Sequence, residues 1–518
     1  MTQRQHNNSP PQIALIIPAQ QASDSSSFPT SEKAVSKWLL AAAGDEIDSR
    51  VSALITALKH SNRVRNTPAE RLKILDVFVG ELQQLLPDLR ARFAEANFPQ
   101  STSAESAFSQ TALLLLEISY GYKISLIDAL KKRGTLTQKV RVHTIYRAIK
   151  AIGDCGLHHS LNYRQWPTKS WRDLNTLLLL AEHEKAHEIP INNGSALQYP
   201  ETIQGLYIGY TLLNACDTKH LQRHEISAVF SSLCNSAEKF RLTKTRNQSS
   251  AHQDYSVALN SANAPAPDRF STYPDNAKLR YLALEPLMSL FSTGLQTKLP
   301  SGSLGHHQQR HLIQTWLKNS KRKSPRCIRN SIIFAQSGLE NIAATLNAAS
   351  SQRKYSDLFS THWIMRNQSR QGIGLQAGSK DKHSTGIGEL MAYGKVQSGQ
   401  GVQPLCQAGV VRWLSSEKNK PARLGVETIA DRVECVTLAA RDSQQSDQDT
   451  RALIGINPNS TDNQVILMVT RKRVTSGESI TLSVGASSYY HNCIVTLGDK
   501  IDHKGNFDCF KLGSIPLK

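Results

Sequence analysis

From about residue 31 to 250 the apolar positions recur at helical spacing. Leu72, Leu75, Val79, Leu82 and Leu86 follow at intervals of 3, 4, 3 and 4 residues, which lays one stripe along a helix. Thr67-Pro68-Ala69-Glu70 supplies its start, with a capping Thr, Pro at the first helical position and Glu at the third, and Pro87 is expected to close it. Ala112–Leu130 is more densely apolar and predicts a buried helix interrupted near Gly121. Further helices are predicted around Thr144–Ile152, Trp171–His187, Ile203–Ala215 and Arg223–Leu242, joined by short turns, so a bundle or solenoid is expected. Residues 243–276 turn polar and read as a linker, while Lys278–Phe291 predicts one more helix and Gly302–Gln309 a soft junction.

Beyond about 325 the period changes. Short β-branched runs with Gly, Asn, Asp and Ser breaks appear at Ser331–Phe334, Gly409–Leu414, Leu424–Ile429, Ala452–Ile456, Val465–Thr470, Ser479–Val484 and Asn492–Leu497. Strands this short, spaced by roughly ten residues, predict a barrel or sandwich rather than a parallel α/β sheet.

The 518 residues exceed one ordinary core, and 39% hydrophobic with 20% charged composition suits a globular protein. Residues 1–30, rich in Gln, Ser, Asn and Pro, read as a disordered tail. No apolar run approaches the ~20 residues that cross a bilayer, and Ile13–Ile17 is too short for a signal-peptide core, so a cytoplasmic protein without a membrane span is expected. The eight cysteines have no close spacing, which argues against a zinc cluster or a disulfide framework. The net charge of +19 favours an anionic partner.

Three segments then stand in a fixed order. Arg322-Lys-Ser-Pro-Arg326 precedes the first strand, Asn367-Gln-Ser369-Arg-Gln-Gly372 follows, and Val410-Val-Arg-Trp413 comes before Arg423-Leu-Gly-Val-Glu427. RxxxR alone is expected about once or twice by chance in such a chain, so the ordered set carries the signal.

This set resembles the PilZ family, whose members place RxxxR on the chain entering a small antiparallel barrel and [D/N]xSxxG on a strand turn. The resemblance covers residues 320–430 and extends loosely to longer bacterial receptors with a helical N-terminal half. It implies a multidomain α + β chain: an all-α helical N-terminal region, then a PilZ-type antiparallel β-barrel and a further β segment. The implied domains are a tail over 1–30, a helical domain over 31–250, a linker and connecting helix over 251–320, the barrel over 321–432, and a C-terminal β segment packing on it over 433–518. The implied function is a bacterial receptor, with no enzymatic activity and no cofactor, whose ligand is cyclic di-GMP. Ligand binding would change the interdomain arrangement and the binding of an unidentified protein partner through the helical domain, controlling motility, pili or biofilm. The implied ligand residues are Arg322, Arg326, Asn367, Ser369 and Gly372.

The chemistry of these residue types agrees. An Arg fork meets guanine O6 and N7 with paired hydrogen bonds, stacks on purines and bonds phosphate. Asn367 and Ser369 can fix a turn or reach the base and phosphate, and Gly372 permits close backbone approach or positive φ. Which two of Arg322, Arg326 and Arg329 contact ligand stays open, as does a contribution from Arg370. The long gap between Arg326 and Asn367 implies an extra helix or loop around Leu339–Ala349.

Two other patterns are weaker. His183-Glu-Lys-Ala-His187 is a literal HExxH on a predicted helix, but no third zinc ligand follows at metalloprotease spacing. Arg471-Lys-Arg473 and the Lys318–Arg329 stretch are basic, yet aromatics are only 6% and are not interleaved with them, so nucleic acid is not the expected partner. A degenerate PilZ-like scaffold without nucleotide binding is the other alternative.

Overall fold

The protein is described by a computed structural model that covers residues 14–284 and 324–512 apart from 22–27, 43–45, 95–97, 99, 133, 192–198, 247–253, 269–271, 350–360, 379–384, 396–405, 418–419, 441–449, 459, 461–463, 484–492 and 502–504. Between 285 and 323 it describes only Pro286, Leu312, Thr315 and Trp316. The chain divides into two units, Met1–Ala96 with Gln100–Thr218 and Arg223–Ser320, and Asn97–Pro99 with Lys219–Gln222 and Lys321–Lys518. A helical N-terminal region and a later set of antiparallel strands make it a multidomain α + β protein.

The first unit contains α1 (Glu32–Ala42), α2 (Ile47–Arg63), α3 (Pro68–Ala94), α4 (Thr102–Lys131), α5 (Gln138–Leu161), α6 (Ser170–His183), α7 (Ile203–Ala215) and α8 (Arg223–Ser236). Ser101, Thr137 and Thr202 cap α4, α5 and α7, each side-chain oxygen accepting from the backbone N–H three residues on. Two predicted stops are not stops. α3 runs through Pro87 to Ala94, because its apolar stripe continues in the buried Leu85, Leu89 and Phe93, and that burial outweighs the hydrogen bond proline removes. α4 passes Gly121 unbroken. A Cβ there would lie 2.5 Å from Leu75 Cδ2, so the glycine lets α4 pack closely on α3.

Inside this unit Lys123 Nζ donates to Asp173 Oδ2 at 2.6 Å, with side chains 1% and 5% exposed. Burial holds the Lys123 pKa below its ordinary value, against the opposing pull of Asp173. The other carboxylate oxygen of Asp173 accepts from the Ile16 backbone N–H at 3.0 Å. Leu15 is buried, and Gln21 N–H donates to the Arg63 carbonyl at 2.7 Å. Residues 14–21 are therefore tied to the helices, a placement their polar surroundings in the sequence do not predict.

The polar stretch after α8 is also not a plain linker. It forms a small sheet of β1 (Leu242–Thr243), β2 (Tyr255–Ala258), β3 (Ala266–Pro267) and β4 (Leu279–Leu282) in the order β1-β4-β2-β3. The helix expected over Lys278–Phe291 thus begins as a strand, and residues 287–291 lie outside the described residues. Arg280 and Leu282 point inward, Arg280 Nε donating to Glu182 Oε1 at 2.7 Å, and four residues of such alternation cannot be told from a helical turn by period alone.

The second unit holds β5 (Cys327–Ser337), α9 (Leu339–Ala349), β6 (Thr361–Ser369), β7 (Gly372–Ala377), β8 (Leu390–Lys395), β9 (Gln407–Ser415), β10 (Arg423–Ala440), β11 (Thr450–Ile456), β12 (Val465–Thr470), β13 (Ser479–Ser483), β14 (Cys493–Ile501) and β15 (Phe507–Leu512). All its strand pairings are antiparallel, and they form two circuits. The first runs β10-β7-β6-β5-β8-β9 and returns to β10; the second runs β10-β11-β12-β15-β14-β13 and also returns to β10. The C-terminal segment therefore does not merely pack on the preceding strands but shares β10 with them. The register of β10 shifts between Asp431 and Glu434, and Arg432 takes the left-handed region at φ 50° where the strand passes between circuits. α9 adds Leu339, Ile342, Ala343 and Leu346 to one apolar cluster with Phe334 and Val410 of the first circuit and Leu453 and Met468 of the second.

Candidate functional site

Directly paired residues of antiparallel strands share a face, and successive residues alternate faces. In the first circuit the row Met365, Leu375, Leu424 and Leu414, paired across β6, β7, β10 and β9, is buried and faces inward. Tyr393, on the same inner face, has its hydroxyl 2.6 Å from Thr428 Oγ1, and burial pushes its pKa up. A neighbouring row faces outward: Asn367 pairs with Gly374, Gly374 with Gly425, and Gly425 with Trp413.

Each predicted site residue can be located against these rows. Asn367, Ser369 and Gly372 meet on the β6–β7 hairpin, whose turn is Arg370-Gln371. The Ser369 hydroxyl donates to the Gly372 carbonyl at 3.2 Å, which fixes the turn. Gly372 does not need positive φ. A Cβ there would lie 2.2 Å from the Val426 carbonyl oxygen, so the glycine admits the backbone of β10. The Asn367 side chain lies over Gly374, where a Cβ would come within 2.7 Å of its Oδ1.

Arg326 is exposed and immediately precedes Cys327, which pairs with Gln368. The chain therefore enters β5 alongside the hairpin. Arg322 lies outside the described residues. Arg329 is exposed in the β5 irregularity between Ile328 and Ser331, and Arg370 is exposed at the hairpin turn. The expected helix over Leu339–Ala349 is α9.

Other polar groups share this outer face. Arg412 sits in an irregularity of β9, between the pairs Gly425–Trp413 and Val426–Val411, and its guanidinium donates to the Glu427 carboxylate. Glu427 pairs with Gly372 and is 45% exposed. Arg366 donates from Nε to Gln376 Oε1 at 3.0 Å and from Nη1 to Asn330 Oδ1 at 2.8 Å, stitching β5, β6 and β7 together. The face thus offers cations, a carboxylate, an amide and an indole on a backbone floor. That combination can bind phosphate and base in one ligand.

Sequence reasoning did not identify Trp413, Glu427 or Arg412 as parts of this face. The available signal was the alternation itself: Gly374 and Gly425 stand one residue from inward Leu375 and Leu424, so both must face outward.

The HExxH segment is not a helical metal motif. α6 ends at His183, Lys185 has φ 56°, and Glu184 accepts from Arg141 Nη2 at 2.9 Å. With the turn broken, His183 and His187 no longer share a helical face. Among the described residues no group of three or more His, Cys, Asp or Glu could hold a metal ion, and no helix is long and apolar enough to cross a membrane.

No curated protein matches the chain. Residues 33–248, less than half of the chain and spanning most of α1 through α8, match the family model described as the cyclic-di-GMP receptor FimW, N-terminal domain.

Proposed function

We propose that this protein is a cytoplasmic receptor for cyclic di-GMP, binding the nucleotide on the outer face of the first circuit as a PilZ-type barrel does. One observation carries the reading: Asn367, Ser369 and Gly372 meet on a single hairpin, beside the point where Arg326 leads into β5. The family match of the helical region to a receptor of that name supports it. Arg322 and Arg326 close over the ligand with forked hydrogen bonds to guanine and phosphate, while the hairpin receives it. The arginine segment directly follows the helical unit in sequence, so closing it restrains the connection between units and changes how the helical unit meets a protein partner. Motility, pili or biofilm is the output. The role is binding, not catalysis.

Titration calorimetry of the full chain with cyclic di-GMP tests this. Wild-type protein gives saturable heat, and Arg322→Ala with Arg326→Ala weakens affinity about tenfold or more, from the loss of charge-assisted hydrogen bonds. Absence of heat with the wild type sinks the receptor reading. A DNA mobility shift that persists in the double variant would point to nucleic acid instead.

A further inference from the structure

The row Asn367–Gly374–Gly425–Trp413 has a property beyond the hairpin. A Cβ at Gly425 would fall 1.9 Å from Trp413 Nε1, so the indole occupies the space above that glycine. The Asn367 amide occupies the space above Gly374 in the same way. Both glycines are buried although they face outward, because these two side chains cover them. The result is an amide and an indole set side by side over two glycines of the outer face, with Trp413 itself only half-buried.

Glu427 stands one row away, on the same face. A carboxylate beside an anionic ligand repels it unless it meets hydrogen-bond donors. Arg412 holds this carboxylate in place and offsets its charge, while leaving it 45% exposed. Guanine presents adjacent N–H donors on its Watson–Crick edge, at N1 and the exocyclic amino group. Adenine presents an acceptor at N1, which a carboxylate rejects.

We infer that Trp413 is the stacking platform for one guanine of the nucleotide and that Glu427, oriented by Arg412, reads its Watson–Crick edge. This rests on the cyclic di-GMP reading above and adds to it a basis for choosing guanine over adenine. Trp413 supplies affinity through a flat π surface, and Glu427 supplies selectivity.

The full chain is titrated with cyclic di-GMP and with cyclic di-AMP, comparing the wild type with Trp413→Ala, Trp413→Phe and Glu427→Gln. Trp413→Ala binds cyclic di-GMP about tenfold or more weakly, as loss of base stacking requires, and Trp413→Phe keeps most of the affinity. Ligand quenches part of the fluorescence of the six tryptophans, and that part disappears in Trp413→Phe. Glu427→Gln lowers the preference for cyclic di-GMP over cyclic di-AMP by about tenfold, the scale of one base-edge contact.

If wild type binds cyclic di-GMP while Trp413→Ala matches its affinity and only lowers the unfolding midpoint, the indole is a cover for Gly425 and the inference fails with the receptor reading intact. Unchanged selectivity in Glu427→Gln removes the edge-reading role. If wild type binds neither nucleotide, the receptor reading fails first and this inference falls with it.

Discussion

Lys123 and Asp173 face each other inside the helical unit, 1% and 5% exposed. Arg412, Glu427, Arg366 and Arg423 lie instead on the outer face of the first strand circuit, within reach of solvent. Lys123 donates to Asp173, and Asp173 also accepts from the Ile16 backbone, so the charge of this pair is satisfied within the fold. The strand circuit keeps an apolar interior of Met365, Leu375, Leu424 and Leu414 and sends its charge outward. Charge buried in a matched pair specifies a scaffold; charge held on a sheet surface remains available for a ligand.

That contrast can be broken at its strongest point. Lys123→Met leaves Asp173 buried without its partner and is expected to cost about 3–5 kcal/mol in unfolding free energy, read by denaturant titration. Replacing both partners together, Lys123→Met with Asp173→Leu, recovers most of that loss. Equal destabilisation by the single and double variants would mean that the pair is not the unit of stability.

A second effect is set by pH. His158 donates from Nε2 to the Phe108 carbonyl at 2.9 Å and stacks on the Phe108 ring at 4.6 Å. Burial pushes its pKa down to about 3. Below about 6.5 the unfolded chain protonates this imidazole while the folded chain does not. Stability from His158 is therefore complete above pH 6.5 and declines by about 1.4 kcal/mol per pH unit between 6.5 and 3. His159, pushed down to about 4 by burial, adds to the same decline. His158→Gln should flatten the pH dependence of the urea midpoint in that window by about one proton; an unchanged slope would place the acid sensitivity elsewhere.

The smallest effect sharpens the other side of the comparison. Arg366→Ala removes two side-chain hydrogen bonds across β5, β6 and β7, yet leaves no buried charge behind. It should lower stability by about 1 kcal/mol in the same denaturant assay. A loss as large as that of Lys123→Met would show that the outer face is structural after all.

Much of this was legible in the chain. Strand runs such as Val465–Thr470 matched their final bounds because β-branched residues stood between clear turn residues. The hairpin motif could be read because its short-range geometry depends on neighbours in sequence. What could not be read depends on neighbours in space. Pro87 and Gly121 look like breaks locally, and only packing of α3 on α4 shows otherwise. Lys185 ends the helix that HExxH requires through one backbone angle. The Trp413–Gly425–Gly374–Asn367 row draws on four strands, and its register is fixed by pairing rather than by spacing.

Strand β10 also runs longer than the Leu424–Ile429 expected from the sequence, continuing to Ala440 through a bend at Arg432. Its two halves carry different neighbours: β7 and β9 flank residues 423–427, and β11 and β13 flank 437–438. A chain cut after Ala440 would strip both neighbours from the second half at once. It would leave a run including Val436 and Leu438 stripped of its ladder partners, a ready template for aggregation. The two circuits are in that sense inseparable by excision, because one strand completes both.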